Sequence, residues 1–221
     1  MSITPESVKQ MLSSEELGDR LRGVNQIRQL EPSVGFELVQ TAIKDENSRV
    51  RYSAVSMLDT LGGQDLELSL QILRDRLFND SEIDVQAAAA DCLGGLKLTQ
   101  AFDDLQQIYQ TSGEWIIQLS IIAALGELGE PKGFDLLSEA LSSENELVQA
   151  AAVSSLGELG DSRAVSLLSP YAESSDWQIR YRVIQSLSLL GGTNAKSIIQ
   201  KLAKDEVEAV SKEAQRCLSE N

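Results

Sequence analysis

Apolar residues recur along this chain in a frame that repeats at intervals of just over thirty residues. Each frame starts with a β-branched anchor and places a leucine eight residues later, which is the spacing of one buried helical face. The anchors are Val50, Val85, Ile117, Val148, Ile179 and Val210. The leucines are Leu58, Leu93, Leu125, Leu156, Leu187 and Leu218. Consecutive anchors are 35, 32, 31, 31 and 31 residues apart, and a period of this length indicates a solenoid.

Each repeat is predicted to be a pair of helices joined by a short polar turn. The run 142–145 is such a turn, and the apolar positions from Val148 to Leu156 then follow helical spacing. Gly157 and Gly160 are predicted to end this helix, because glycine tolerates the left-handed conformation after a helix. Asp161 is predicted to cap the first helix of the next repeat.

The predicted fold is all-α: an α-solenoid of about six to seven helix pairs wound into a curved right-handed superhelix. Ser13 and Glu16 match a capping box, which starts a degenerate first repeat at Leu17. The whole chain, 1–221, is predicted to be a single domain, with 1–16 and 205–221 as its terminal caps. The repeats between them are expected at about 17–44, 45–78, 79–110, 111–142, 143–173 and 174–204.

Composition narrows the chemistry that this chain can perform. It contains no histidine, which removes imidazole acid–base catalysis, Ser-His and Cys-His nucleophile pairs and imidazole metal sites. No metal site and no permanently bound cofactor are predicted. Cys92 and Cys217 share one frame position and are expected to be small buried thiols, with a ligand-carrying thiol as the alternative.

The formal net charge is −15, so the field of the protein repels nucleic acid and anionic membranes. No apolar run approaches the length of a membrane span, and the first residues lack the pattern of a signal peptide. The sequence therefore predicts a cytoplasmic protein that neither binds nucleic acid nor inserts into a membrane.

The repeat frame is clearest in V-R-Y-S-A-V-S-M-L at 50–58, V-Q-A-A-A-A-D-C-L-G at 85–94 and V-Q-A-A-A-V-S-S-L-G at 148–157. These segments resemble the short HEAT-like repeats of the E/F-type phycobilin lyase family. Two further segments are T-P-E-S-V-K-Q-M-L-S-S-E-E-L-G-D-R-L-R-G-V-N-Q-I-R-Q-L at 4–30 and A-A-L-G-E-L-G-E-P-K-G-F at 123–134. They resemble the members of this family that act in phycobilisome degradation.

This resemblance implies a protein that binds phycobiliproteins, such as phycocyanin and allophycocyanin, when a nutrient-starved cell dismantles its antenna. It implies phycocyanobilin as a ligand or substrate and a location at the phycobilisome. Lyases of this family attach or remove bilins at phycobiliprotein cysteines, so an enzymatic version of this chain would act on thioether C–S bonds. Three functions stay open: a factor that assists bilin detachment, a non-catalytic adaptor for a protein partner, and a subunit of a bilin-attaching lyase. A homodimer is one expected arrangement.

The segment W-Q-I-R-Y-R at 177–182 places two arginines and two large aromatic residues together in an acidic chain. Arg180 follows the anchor Ile179 and shares its frame position with Arg51. Both arginines are expected either to bond a neighbouring turn, such as Asp176 or the region of Asn145, or to contact a ligand. The next frame position, which holds a tyrosine in both repeats, is expected to face a groove rather than the core.

Aromatic rings and guanidinium groups suit a bilin, which is a flat conjugated molecule with two carboxylates. A protein-binding hot spot has the same composition, and packing at a helix end is the structural alternative for the tryptophans. The candidate bilin- or partner-binding residues are Trp177, Tyr181, Arg182, Arg180, Tyr52, Arg49, Arg51 and Trp115. A second basic cluster comprises Arg20, Arg22 and Arg28, with Arg49 and Arg51 in the next repeat. It is expected to form either a positive lip for an acidic partner or a solvated helix face. No catalytic residue is assigned, although Asp91 or Asp176 could assist as an acid.

Overall fold

The computed structural model describes residues 3–220, and every regular element in this range is a helix. The helices up to the middle of the chain are α1 (Pro5–Leu12), α2 (Leu17–Ile27), α3 (Pro32–Ala42), α4 (Ser48–Ser56), α5 (Leu58–Leu61), α6 (Leu66–Asn79), α7 (Ile83–Gly95), α8 (Phe102–Thr111) and α9 (Trp115–Leu128). The later helices are α10 (Gly133–Ala140), α11 (Glu146–Leu159), α12 (Ala164–Leu168), α13 (Trp177–Leu190), α14 (Gly192–Leu202) and α15 (Glu208–Glu220). Short 3₁₀ helices cover Gly62–Gln64, Thr99–Ala101 and Ser169–Glu173.

The chain divides into two compact units, one ending at Ile121 and one beginning at Ile122. In the N-terminal unit α4 packs against both α2 and α7, so the second helices of successive pairs are direct neighbours. In the C-terminal unit α13 packs in the same way against α11 and α15. Successive pairs thus repeat one contact, and the fold is an α-solenoid, as the sequence predicts. How the chain divides into domains and repeats beyond these contacts stays a prediction.

The predicted apolar frame forms the core. All six anchors are buried, and of these only Ile179 retains measurable exposure, at 5%. The leucines eight positions later are also buried except for Leu218, which is half-buried. Leu218 lies on α15, the last helix described. Burying one such side chain contributes roughly 1.5–3 kcal/mol, so this repeated set stabilises the stacking of successive pairs.

From Cys92 onward the frame position just before the leucine is small, because neighbouring second helices approach closely there, whereas the first frame has Met57. Cys92 donates to the carbonyl oxygen of Val55 at 3.3 Å, and Ser186 donates to that of Val153 at 2.8 Å. A Cβ atom built on Gly157 would lie 2.6 Å from the Cα and Cβ atoms of Ser186. The same contact therefore recurs in both units and excludes larger side chains.

Three predicted helix boundaries differ from the structure. Gly157 lies inside α11, which ends at Gly160 with a left-handed φ of 76°. Asp161 accepts a hydrogen bond from the backbone amide of Arg163, so it closes the turn ahead of α12 without being that helix's N-cap. The predicted box at Ser13 and Glu16 is wrong, because the N-cap Glu16 makes no side-chain capping bond. A capping box occurs instead at the start of α1, between Thr4 and Ser7.

Candidate binding site

Arg180 is held inside the protein by the turn of the next repeat and by the turn that precedes its own helix. Its Nε and Nη2 atoms donate to the two carboxylate oxygens of Asp205 at 2.7 and 2.8 Å. Its Nη1 atom donates to the carbonyl oxygens of Ser174 and Ser175 at 2.8 and 3.4 Å. The prediction that a local turn binds Arg180 is correct in kind, but the partner is neither Asp176 nor the region of Asn145. Because this guanidinium is bonded on all its edges and is buried, the geometry favours the architectural alternative.

Arg51 makes the same arrangement in the N-terminal unit. It donates to both oxygens of Asp80 at 2.8 and 2.7 Å and to the carbonyl oxygens of Asp45 and Glu46 at 3.1 Å. Burial acts to raise the pKa of Asp80, but the hydrogen bonds from Arg51 and from the backbone of Glu82 outweigh it and hold that pKa below its usual range. The Arg51 guanidinium has its own pKa raised, chiefly by its hydrogen bond to Asp80. Arg51 is therefore committed to an internal pair.

These arrangements follow a rule that the sequence interpretation missed. Arg51 and Arg180 follow an anchor, and Arg20 lies 31 residues before Arg51 at the equivalent place in α2; in each case the turn of the next repeat supplies an aspartate. The pairs are Arg20–Asp45, Arg51–Asp80 and Arg180–Asp205, with shortest N–O distances of 2.9, 2.7 and 2.7 Å. In each pair the aspartate also accepts a backbone amide two residues further on. We refer to these three pairs as the Arg–Asp clasps.

Where the same position holds glutamine, the next repeat has serine in place of the aspartate. Gln86, Gln118 and Gln149 each donate to a carbonyl oxygen of their own preceding turn, at 2.7–2.9 Å. The serines at the corresponding turns are Ser112, Ser143 and Ser174, and each accepts a backbone amide two residues on. A neutral glutamine leaves no charge to balance, so no acid is needed. The alternation of Arg with Asp and of Gln with Ser, 25 to 29 residues apart, was the signal available in the sequence.

Only three of the eleven arginines make no ion pair with a carboxylate of the described residues: Arg28, Arg49 and Arg182. All three are exposed, and two of them, Arg28 and Arg49, line pockets that contain a tyrosine. Arg28 and Arg49 line two different pockets that both include Tyr52, while Arg182 follows Tyr181 in α13. In an acidic protein, an unpaired guanidinium beside an aromatic ring is suited to bind an anionic or aromatic group.

Tyr52 is 48% exposed and lies at a pocket of about 720 Å³ in the N-terminal unit. The lining combines residues of α2, α4, α7 and α9, namely Leu21, Ser48, Arg49, Tyr52, Ser53, Glu82, Asp84, Val85, Ala87, Ala88, Asp91, Ile116 and Ser120. The lining includes several alanines and serines, and its charged residues are one arginine and three acids. This pocket therefore offers both signs of charge, which suits a protein surface better than a purely anionic ligand.

Trp177, Tyr181 and Arg182 lie along α13 with different environments. Trp177 is 43% exposed in the first turn, beside the capping Asp176, whose carboxylate accepts the amide of Gln178 at 2.8 Å. Arg182 reaches Ser154 of α11 with an Nη1–Oγ distance of 3.3 Å. Arg182 and Trp177 thus remain available to solvent.

Tyr181 of α13 is half-buried and belongs to a small hydrogen-bond network around Glu213 of α15. Hydrogen bonds from Arg216, Gln185 and Tyr181 lower the pKa of Glu213, with Arg216 contributing most. Trp115, the remaining candidate, is 42% exposed at the first residue of α9 in the N-terminal unit. The exposed aromatic candidates are therefore Tyr52, Trp115 and Trp177, with Tyr181 partly covered.

The described residues show no further chemical centre of the expected kinds. Cys92 and Cys217 are each 2% exposed, as expected for buried thiols, and neither forms a disulfide. In the part of the chain that the structure describes, no group of three or more cysteine, aspartate or glutamate side chains could hold a metal ion. None of the described helices is long and apolar enough to cross a bilayer.

Comparison with known proteins places this architecture among stacked helical repeats. A family model described as HEAT repeats matches residues 70–146 and 134–219. No curated protein matches the sequence. A chain from the complex of CpcE and CpcF of phycocyanin lyase from Nostoc sp. PCC7120 is 19% identical, with a TM-score of 0.62; the match covers 100% of this chain and 95% of that one. The archaeal HEAT-like repeats protein from Thermococcus onnurineus NA1 is 13% identical, with a TM-score of 0.58 and coverage of 99% and 97%.

At these identities the two solved structures support the fold alone, whereas the family model spans about two thirds of the sequence. Together with the repeated frame and the stacked second helices, it establishes that the chain belongs to the HEAT-repeat family.

Proposed function

We propose that this protein is a phycobilisome degradation factor that binds phycobiliproteins and assists the detachment of their bilins. The observation that carries the proposal is the selective availability of arginine. Among the described residues eight arginines form ion pairs, and the other three are exposed; Arg28 and Arg49 line pockets with Tyr52. Such sites present a ring face and a free guanidinium to a bilin, whose tetrapyrrole is flat and whose propionates are anionic.

Two resemblances support this target class. The segments at 4–30 and 123–134 resemble the phycobilisome-degradation protein NblB. The shared architecture with a chain of the CpcE–CpcF complex of phycocyanin lyase is compatible with the same class of target. HEAT repeats commonly bind proteins, and the large pocket at Tyr52 with its mixed charges is suited to such a contact. In this proposal the protein acts in the cytoplasm at the phycobilisome.

The assigned residues act by binding and positioning rather than by covalent chemistry. The chain has no histidine, and both thiols are buried. Assistance would therefore consist of positioning the bilin close to the carrier protein's own cysteine. Asp176 caps α13 through its carboxylate, so an acid role for it would compete with that structural bond.

The first test is a titration of the purified protein with holo-phycocyanin and, separately, with free phycocyanobilin, followed by absorption and fluorescence. The informative variants are Arg182→Gln and Tyr181→Ala, with Arg163→Gln as the matched control. Arg163 is also an exposed arginine of the C-terminal unit, but it pairs with Asp161. The proposal predicts a bilin spectral change that both α13 variants weaken and the control retains.

The outcomes separate the alternatives. Binding of holo-phycocyanin on size exclusion with no spectral change in either titration would indicate an adaptor. Attachment of free phycocyanobilin to apo-phycocyanin would indicate a lyase subunit. Absence of any complex with phycocyanin or allophycocyanin would refute the proposed target class.

A further inference from the structure

A second pocket of about 580 Å³ lies in the N-terminal unit and shares Tyr52 and Ser53 with the first. Residues at the end of α2, the start of α3, α4 and α5 enclose it: Asn25, Arg28, Leu30, Pro32, Tyr52, Ser53, Ser56, Met57, Thr60 and Leu61. Its volume falls in the range of small-molecule sites, which combine apolar walls with a few polar groups. Leu30, Pro32, Met57 and Leu61 provide such walls.

The charge of this pocket is opposite to that of the protein. Arg28 is its one charged residue, and none of the lining residues in the described part of the chain carries a carboxylate. Arg28 also makes no ion pair among the described residues, although the formal net charge of the chain is −15. An unpaired guanidinium next to apolar walls, with amide and hydroxyl groups of Asn25, Thr60 and Tyr52 nearby, is suited to a carboxylate on an apolar body.

We propose that this pocket binds a small carboxylate-bearing apolar molecule, with Arg28 as the group that holds the carboxylate. The neighbouring pocket that shares Tyr52 and Ser53 serves as an internal comparison. It is larger, but its three acids, Glu82, Asp84 and Asp91, outnumber its one arginine, Arg49, and disfavour an anion. The smaller pocket is therefore the site for the anion, whether or not the protein acts on phycobiliproteins.

Methionine methyl NMR tests this proposal on the full chain. Met57 lines the pocket and is 7% exposed, whereas Met11 lies on α1 outside the lining and serves as the internal reference. The probes are naphthalene-2-carboxylate and its neutral analogue naphthalene-2-carboxamide. We expect the carboxylate to shift the Met57 methyl signal in a saturable way while the Met11 signal stays unchanged.

Two arginine variants test whether the guanidinium of Arg28 holds the carboxylate. Arg28→Gln removes the guanidinium from an exposed position, and Arg22→Gln is the matched control because Arg22 is an exposed arginine of α2 outside the lining. Losing one charged hydrogen-bonded contact should raise the dissociation constant of the carboxylate at least about tenfold in Arg28→Gln. The control should bind like the wild type, and the carboxamide should bind both variants equally. Equal affinities for carboxylate and carboxamide, an equal loss in Arg22→Gln, or an unshifted Met57 signal would overturn the proposal.

Discussion

Exchanging one Arg–Asp clasp for its neutral counterpart should restore about half of the stability that either single change removes. In Arg180→Gln the Asp205 carboxylate, whose side chain is 8% exposed, loses two hydrogen bonds of 2.7 and 2.8 Å. In Asp205→Ser the guanidinium loses the same bonds. Removing one partner of a buried pair costs about 3–5 kcal/mol, and water at the edge of a turn lowers this to about 2 kcal/mol for each single variant.

The double variant recreates the pairing that the chain uses elsewhere. The new glutamine can donate to the carbonyl of Ser174, as Gln149 donates to that of Leu141 at 2.8 Å. The new serine can accept the amide of Val207, as Ser174 accepts that of Asp176 at 3.2 Å. We therefore expect the double variant to lose about 1 kcal/mol, which gives a coupling free energy of about 3 kcal/mol.

Urea unfolding at pH 7, monitored by far-UV circular dichroism, measures the free energy of unfolding of the wild type, the two single variants and the double variant. A double variant that loses the sum of the two single losses would refute the clasp interpretation. The same proteins test the role of Arg180 in binding. If the double variant keeps its affinity for phycocyanin, Arg180 is architectural, whereas a loss of binding with retained stability would make it a contact residue.

Two further predictions concern packing and pH. Gly157→Ala should lower the free energy of unfolding by about 2 kcal/mol or more, because its Cβ would meet the Ser186 backbone at 2.6 Å; Gly18→Ala on α2, with open space around it, should be neutral or up to about 1 kcal/mol more stable. Equal urea midpoints for the two variants would contradict this. The hydrogen bond from Arg180 depresses the pKa of Asp205 in the folded state. The contribution of this pair to the free energy of unfolding is therefore fully present above the pKa of an unfolded aspartate, about 4, and is lost as pH falls through the folded pKa. Asp205→Ser should accordingly lose less stability than the wild type between about pH 4 and pH 2, and an unchanged acid slope in urea titrations would argue against the pair.

Sequence periodicity was sufficient for the fold because each repeat contacts only its neighbours. The anchors and the leucines eight positions later identify the buried face of every second helix, and the structure buries nearly all of them. Helix ends were less predictable, since capping depends on one or two hydrogen bonds that several nearby residues can supply, as Thr4 does where Ser13 and Glu16 do not.

The roles of the candidate site residues, in contrast, depend on contacts between repeats, which the sequence pattern does not show. Arg180 and Arg182 are two residues apart and chemically identical, so composition alone could not separate their roles. Their neighbours in the fold separate these roles. Asp205, in the turn of the next repeat, pairs with Arg180, whereas no carboxylate of the described residues pairs with Arg182. The sequence by itself determined the repeated frame, and hence the stacked helices with an acidic surface. Only the folded structure decided which guanidinium groups are consumed by internal pairs, because those pairs join residues 25 to 29 positions apart that meet when one repeat packs on the next.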